Sequence, residues 1–177
     1  MQSKIIREIE AVLNSVDSES VEKLTRAIVD SPHIFVGGMG RSGLMIRAFA
    51  NRLMHLGKAV SVVGEVTSPH SKAGDFLLIG SGSGETGSLI ALAKKAKNSG
   101  VTVGLLTTNS KSSIASLADI VVVVPAASKE KSQYSLQPMG STFEQASLIL
   151  YDSLVLHMMK HFEETPETMS QRHADFE

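Results

Sequence analysis

The chain has 177 residues, 17 basic and 18 acidic side chains, a formal net charge of −1 and no cysteine. That length fits one domain with a buried core. The charge balance excludes the basic footprint of a nucleic-acid binder, and two Tyr with no Trp exclude a base-stacking surface.

The first thirty residues read as two helices. Ile5, Ile9, Val12 and Val16 recur at helical spacing, and charges inside that pattern (Lys4, Arg7, Glu8) exclude a signal peptide. Asp17 or Ser18 starts the second helix, with Val21, Leu24 and Ile28 as its stripe, and Ser31-Pro32 stops it. The pattern then alternates. Strands are expected at His33–Gly37, Ala59–Val63, Asp75–Gly80, Val101–Thr107 and Asp119–Pro125. Helices are expected at Arg41–Leu56, Thr86–Ser99, Ser112–Leu117 and Ser141–Phe162. Strands apolar throughout and separated by helices predict an α/β fold: a five-stranded parallel doubly wound sheet flanked by helices, with extra helices at the N-terminus. The organisation is one domain over 1–177, made of N-terminal helices (1–30), sheet and flanking helices (31–162) and a C-terminal tail (163–177). The longest aliphatic run, Ile120–Val124, is far below the ~18 residues that span a bilayer. The lack of cysteine fits a reducing cytoplasm.

Open α/β sheets bind ligands beyond the carboxyl ends of their strands. Two loops fall there. Ser81-Gly82-Ser83-Gly84-Glu85-Thr86 follows an apolar strand and opens a helix. Its glycines allow close backbone approach, its three hydroxyls are spaced toward one concavity, and the helix start supplies N–H groups and a positive dipole end. Together they suit a phosphate monoester. The loop has no lysine, so it is not a nucleotide P-loop. Glu85 reads as a helix-start carboxylate near that dipole end.

The other loop, Gly38-x-Gly40-x-x-Gly43, matches a dinucleotide fingerprint, with Glu65 standing 22 residues past Gly43 where a ribose-binding acid sits. A nicotinamide-dependent oxidoreductase is therefore one reading. Against it stand the absence of room for a substrate domain and a hydroxyl-rich loop that dinucleotide binding does not explain. Arg41 and Ser42 suit contacts to a sugar hydroxyl or phosphate.

The long connection Ala126–Gly140 has no periodic pattern and leads into Ser141-Thr142-Phe143-Glu144. Ser141 and Glu144 have capping-box spacing, so Glu144 is either a helix cap or a carboxylate base facing the ligand. His157 and His161 are four apart on a helix without a third ligand, and read as ordinary helix residues. His173 sits in a polar tail that is either a loose end or a docking segment.

These residues together resemble 6-phospho-3-hexuloisomerase, of the sugar-isomerase (SIS) domain family. The resemblance is carried by Gly-Arg-Ser-Gly-Leu at 40–44, Arg52-Leu53-Met54-His55-Leu56-Gly57, Ser81 to Thr86, Gln137-Pro138-Met139-Gly140 with Phe143-Glu144-Gln145, and Arg172-His173-Ala174. The tail reads Arg-His-Ala-Asp-Phe-Glu where that family usually has His-Ala-Asn-Leu-Glu. The resemblance implies interconversion of D-arabino-hex-3-ulose 6-phosphate and D-fructose 6-phosphate through a cis-enediol, without metal or organic cofactor. It implies a cytoplasmic homotetramer with sites near subunit boundaries, and 3-hexulose-6-phosphate synthase as metabolic neighbour. In this picture Glu144 is the base and His173 moves oxygen protons or opens the sugar ring. Ser81, Gly82, Ser83, Gly84, Glu85 and Thr86 hold the 6-phosphate, and Ser42 and Arg41 meet the sugar. The alternatives are an SIS isomerase for another sugar phosphate and a non-catalytic sugar-phosphate sensor.

Overall fold

A computed structural model describes residues 1–127 and 135–175. Two amphipathic helices come first, α1 (Gln2–Leu13) and α2 (Ser18–Asp30). Asp17 is the N-cap of α2, its carboxylate accepting from the Ser20 N–H, and the extended Ser31 ends it before Pro32. Alternation follows in chain order: β1 (Ile34–Gly38), α3 (Gly40–His55), β2 (Val60–Val62), β3 (Phe76–Gly80), α4 (Gly87–Asn98), β4 (Thr102–Thr107), β5 (Ile120–Val123) and α5 (Ser141–His161). A short α6 (Pro166–Ser170) ends the described chain, started by a reciprocal Thr165–Thr168 capping box with Pro at the first turn.

All strand pairs are parallel, in the order β2-β1-β3-β4-β5. Ile34 sits between Val60 and Phe76, and Phe76 in turn faces Thr102. The predicted sheet is thus present in strand number and direction. Successive side chains of each strand point to opposite faces, so apolar residues are needed at every position. Ile34, Val36, Phe76, Leu78 and Val122 pack beneath α2, α3 and α5, while Phe35, Leu77, Ile79, Val103 and Leu105 pack against α4. Phe49 of α3 stacks on Tyr151 of α5, with ring centroids 4.7 Å apart and planes 12° apart. That pair fixes the two helices whose N-termini frame the site.

The expected helix at Ser112–Leu117 is a series of turns. Three serines in six residues offer the backbone other partners: Ser112 Oγ accepts from the Ala115 N–H, and Ser116 Oγ donates to the Ser113 carbonyl. Strand order reverses between β1 and β3, which places the ligand-binding crevice at their carboxyl ends. The loops leaving those two strands are the two singled out by sequence.

Candidate active site

The Ser81–Thr86 loop is locked by its own polar atoms. Ser81 Oγ accepts from the Gly84 N–H and Ser83 Oγ from the Glu85 N–H, both at 3.2 Å. Each hydroxyl keeps its own proton to donate. The Gly82 carbonyl, which would repel a phosphate, takes three donors: the Thr107 and Thr108 hydroxyls at 3.0 and 2.8 Å and the Thr108 N–H at 3.0 Å. Thr86 is the N-cap of α4 but makes no side-chain cap bond, so its hydroxyl and the helix-start N–H groups are available to an anion. Gly84 is left-handed, with φ +67°, and a Cβ there would lie 2.1 Å from Ser112 Oγ.

Glu85 lies one residue before the N-cap rather than in the first turn. Its carboxylate accepts from the Ser113 N–H at 2.8 Å, and the hydrogen bonds to Ser113 hold its pKa below the ordinary carboxylate value. It fastens the phosphate loop to the 109–117 turns.

The first turn of α5 meets this loop through Phe143, whose ring lies 3.2 Å from where a Gly82 side chain would begin. Gly140, with φ +78°, is the N-cap of α5, which moves Glu144 to the fourth helical position. The capping box therefore does not form. Ser141 Oγ donates to the Pro138 carbonyl instead, and Glu144 Oε2 accepts from Arg41 Nη1 at 2.8 Å. The Glu144 side chain is 8% exposed and that of Arg41 47%. Arg41 opens α3, so the pair joins the N-termini of the two helices stacked through Phe49 and Tyr151.

Met39, Ser42, Ser81, Gly82, Ser83, Glu85, Thr86, Phe143 and Glu144 line one cleft of about 1110 Å³. Its wall also includes Glu8, Ala11 and Val12 of α1, Ser15 in the turn after it, and Thr108 and Asn109 beyond β4, none of which the sequence marked as site residues. Glu8 sits beside an apolar stripe and reads as a solvated charge, and Thr108 joins the site only through sheet pairing, so neither leaves a local signal. A smaller depression of about 330 Å³ lies beside β2, where Arg47 and Glu65 neutralise each other at 2.7 Å. Glu65 is thus committed to a surface ion pair rather than held ready for a ribose. The third fingerprint glycine serves helix–strand packing: a Cβ on Gly43 would come within 2.7 Å of the Gly38 carbonyl oxygen.

His173 is elsewhere. Its ring stacks on His55 with centroids 5.3 Å apart, and Arg172 beside it donates to the His55 carbonyl and to Glu164. Arg41 and His55 lie at opposite ends of α3, about 20 Å apart at 1.5 Å per residue. One chain therefore does not bring Glu144 and His173 together. Among the described residues, no group of three or more His, Cys, Asp or Glu could hold a metal ion. No helix there is long and apolar enough to cross a membrane.

Comparison with known proteins matches residues 27–156 to the SIS domain. The chain belongs to the SIS domain family. Its curated relatives include the 3-hexulose-6-phosphate isomerase of Bacillus subtilis, 42% identical over 99% of this chain and 96% of that one. The protein of the same name from Mycobacterium gastri is 43% identical over 92% of this chain and 82% of that one. Among solved structures, a Methanococcus jannaschii protein whose structure was taken to infer a 3-hexulose-6-phosphate isomerase function superposes with a TM-score of 0.86. It is 30% identical and covers 99% of both chains. The match to the SIS domain starts within α2, so α1 lies outside it.

Proposed function

We propose that this chain is a 6-phospho-3-hexuloisomerase, interconverting D-arabino-hex-3-ulose 6-phosphate and D-fructose 6-phosphate. The observation that carries the reading is Glu144, held by Arg41, in the same cleft as the hydroxyls of the Ser81–Thr86 loop. The relatives named for this activity, aligned over nearly the whole chain, support the choice of sugar.

Moving a carbonyl between C3 and C2 moves one proton between those carbons. A single carboxylate can remove it from one and return it to the other. Glu144 is that base. The enediol intermediate develops negative charge on oxygen, and the Arg41 guanidinium beside Glu144 is a fixed cation to receive it. The Ser81, Ser83 and Thr86 hydroxyls, with the backbone at Gly82 and the α4 start, hold the 6-phosphate, and Gly84 supplies the left-handed turn that shapes the loop around it. Ser42 binds the sugar, and Glu85 shapes the loop. Anchoring the remote phosphate orients C2 and C3 at Glu144.

The second proton, exchanged between O2 and O3, falls to His173, whose imidazole can take a proton at one nitrogen and give one up. Since His173 lies beside His55 in its own chain, it serves the cleft of a neighbouring subunit in a homotetramer. The chain works as one SIS domain over 1–177, in the cytoplasm, with 3-hexulose-6-phosphate synthase supplying its substrate. It acts without metal or organic cofactor.

The deciding experiment feeds synthase-generated hexulose phosphate to the purified protein and follows fructose 6-phosphate. Formation that tracks enzyme concentration is expected. No product from folded protein overturns the assignment.

A further inference from the structure

Helix α5 starts from a strained backbone. Met139 (φ +61°) and Gly140 (φ +78°) are successive left-handed residues directly before it. The left-handed region is costly for a residue with a Cβ, and Met139 is exposed, so burial of its own side chain does not offset that cost. The turn is closed locally by Ser141, whose N–H and Oγ both donate to the Pro138 carbonyl. The Glu144 N–H donates to the Gly140 carbonyl. The direction in which Glu144 enters the cleft therefore follows from how this turn is held.

The hold comes from Glu8 of α1, a helix that precedes the segment matched by the SIS domain. Glu8 Oε1 accepts from Ser135 Oγ, before the turn, and from Thr142 Oγ1, after it, the latter at 2.9 Å. Each hydroxyl has one proton, and each gives it to Glu8. Behind them the Gln137 N–H donates to Ser135 Oγ at 3.0 Å, and the buried Gln137 side-chain amide donates to Thr142 Oγ1 at 3.2 Å. These donors run toward one carboxylate oxygen, so the network brackets Met139–Gly140 on both sides and ends on another helix. Thr142 lies two residues before Glu144 in the first turn of α5. A strained conformation persists where its surroundings over-determine it, and Glu8 is the common anchor of both flanks.

We infer that Glu8 is a positioning residue: by gripping Ser135 and Thr142 it holds the left-handed Met139–Gly140 turn, and through that turn it sets where Glu144 stands against the phosphate loop. The inference rests on reading Glu144 as the base of the isomerisation. It makes α1 part of the scaffold that aims the base, and Glu8 touches no substrate in this role.

Glu8→Ala removes the acceptor, while Glu8→Gln keeps an oxygen for both hydroxyls. With hexulose phosphate as substrate, kcat of Glu8→Ala should fall ~10-fold, because a displaced base loses rate while the phosphate grip is untouched. KM and the calorimetric affinity for inorganic phosphate should stay within ~3-fold, and Glu8→Gln should recover most of kcat. Thr142→Val removes one of the two donors and should also lower kcat, whereas Thr142→Ser, which keeps the hydroxyl, should restore it. Glu8→Ala should cost less in the Thr142→Val background than alone. Wild-type kcat in either Glu8→Ala or Thr142→Val overturns the inference. So does a Glu8→Ala loss shared equally by kcat and phosphate affinity, or losses that multiply in the double variant. If Glu8→Ala does not fold, the Thr142→Val and Thr142→Ser pair decides the matter. Amide exchange reads the hold without the reaction: in Glu8→Ala the amides of 139–145 should exchange at least ~10-fold faster while those of α4 do not change. Wild-type protein that does not isomerise hexulose phosphate sinks the proposed reaction, whereas unchanged exchange at 139–145 overturns the role of Glu8 itself.

Discussion

Arg41 and Glu144, 103 residues apart in sequence, meet at 2.8 Å through Nη1 and Oε2. Glu144 is nearly buried while Arg41 is half-exposed, so the pair is asymmetric: the carboxylate depends on the guanidinium more than the reverse. Each residue lies in the first turn of a helix, and the two helices are held together by the Phe49–Tyr151 stack deeper in the core.

The asymmetry separates two substitutions. Glu144→Gln keeps an oxygen that accepts from Arg41 and removes the base. Activity should fall at least ~10²-fold, the lower end of a general-base contribution, with the melting temperature little changed. Arg41→Met leaves the Glu144 carboxylate buried without its donor, and should cost about 1–3 kcal/mol of stability besides activity. Coupled assays and thermal melts on both proteins check this. Substantial turnover by Glu144→Gln removes Glu144 as the base.

The phosphate loop should fail sharply at Gly84. An alanine there must adopt φ +67° and place its Cβ 2.1 Å from Ser112 Oγ. The left-handed conformation alone costs about 1–2 kcal/mol, and the clash adds to it. Gly84→Ala should lose phosphate binding by calorimetry and unfold earlier in urea. Adding Ser112→Gly removes the clash but not the backbone cost, so the double variant should recover part of the stability and no more.

Acid should loosen the tail. Glu164 is held below its ordinary value of 4.5, first by its hydrogen bond to Arg172 and then by Thr168. A carboxyl whose folded pKa is depressed contributes stability above its unfolded value and loses it as pH falls through the folded one. Docking of 164–173 should therefore hold at neutral pH and weaken below about pH 4.5. Amide exchange or limited proteolysis of the tail across that window reads it. Glu164→Gln should show the loosened tail already at neutral pH.

Much of the fold was legible because burial is written locally. Phe76–Gly80 is apolar at every position, as a strand covered on both faces must be, and Asp17 announced α2 by its side chain. Ser112–Leu117 misled because its serines bond the backbone in turns, a competition that periodicity does not register. The Ser141–Glu144 spacing misled because Gly140 took the cap one residue earlier and Arg41 claimed the carboxylate. That claim depends on two helix starts meeting in space, which neither segment encodes. The converse miss is α6: Thr165, Pro166 and Thr168 form a recognisable start, hidden in a tail read only for its polarity. Glu8 left no trace because its partners, Ser135 and Thr142, are more than 120 residues away.

The separation of His173 from Glu144 along α3 makes subunit mixing decisive. In the proposed homotetramer, the Glu144→Gln and His173→Ala proteins should each be nearly inactive. If His173 acts across a subunit boundary, tetramers reassembled from an equal mixture contain sites with Glu144 from one chain and His173 from the other. Random assembly gives a competent pair at about a quarter of sites, since each contributing chain has an even chance of carrying the intact residue. Recovery toward that fraction of wild-type activity is the expected outcome. If both residues acted within one chain, no mixture could restore a complete site, and activity would stay at the level of the separate variants. Size-exclusion chromatography before and after mixing ensures that subunits have exchanged, so a flat result would place His173 outside the neighbouring site.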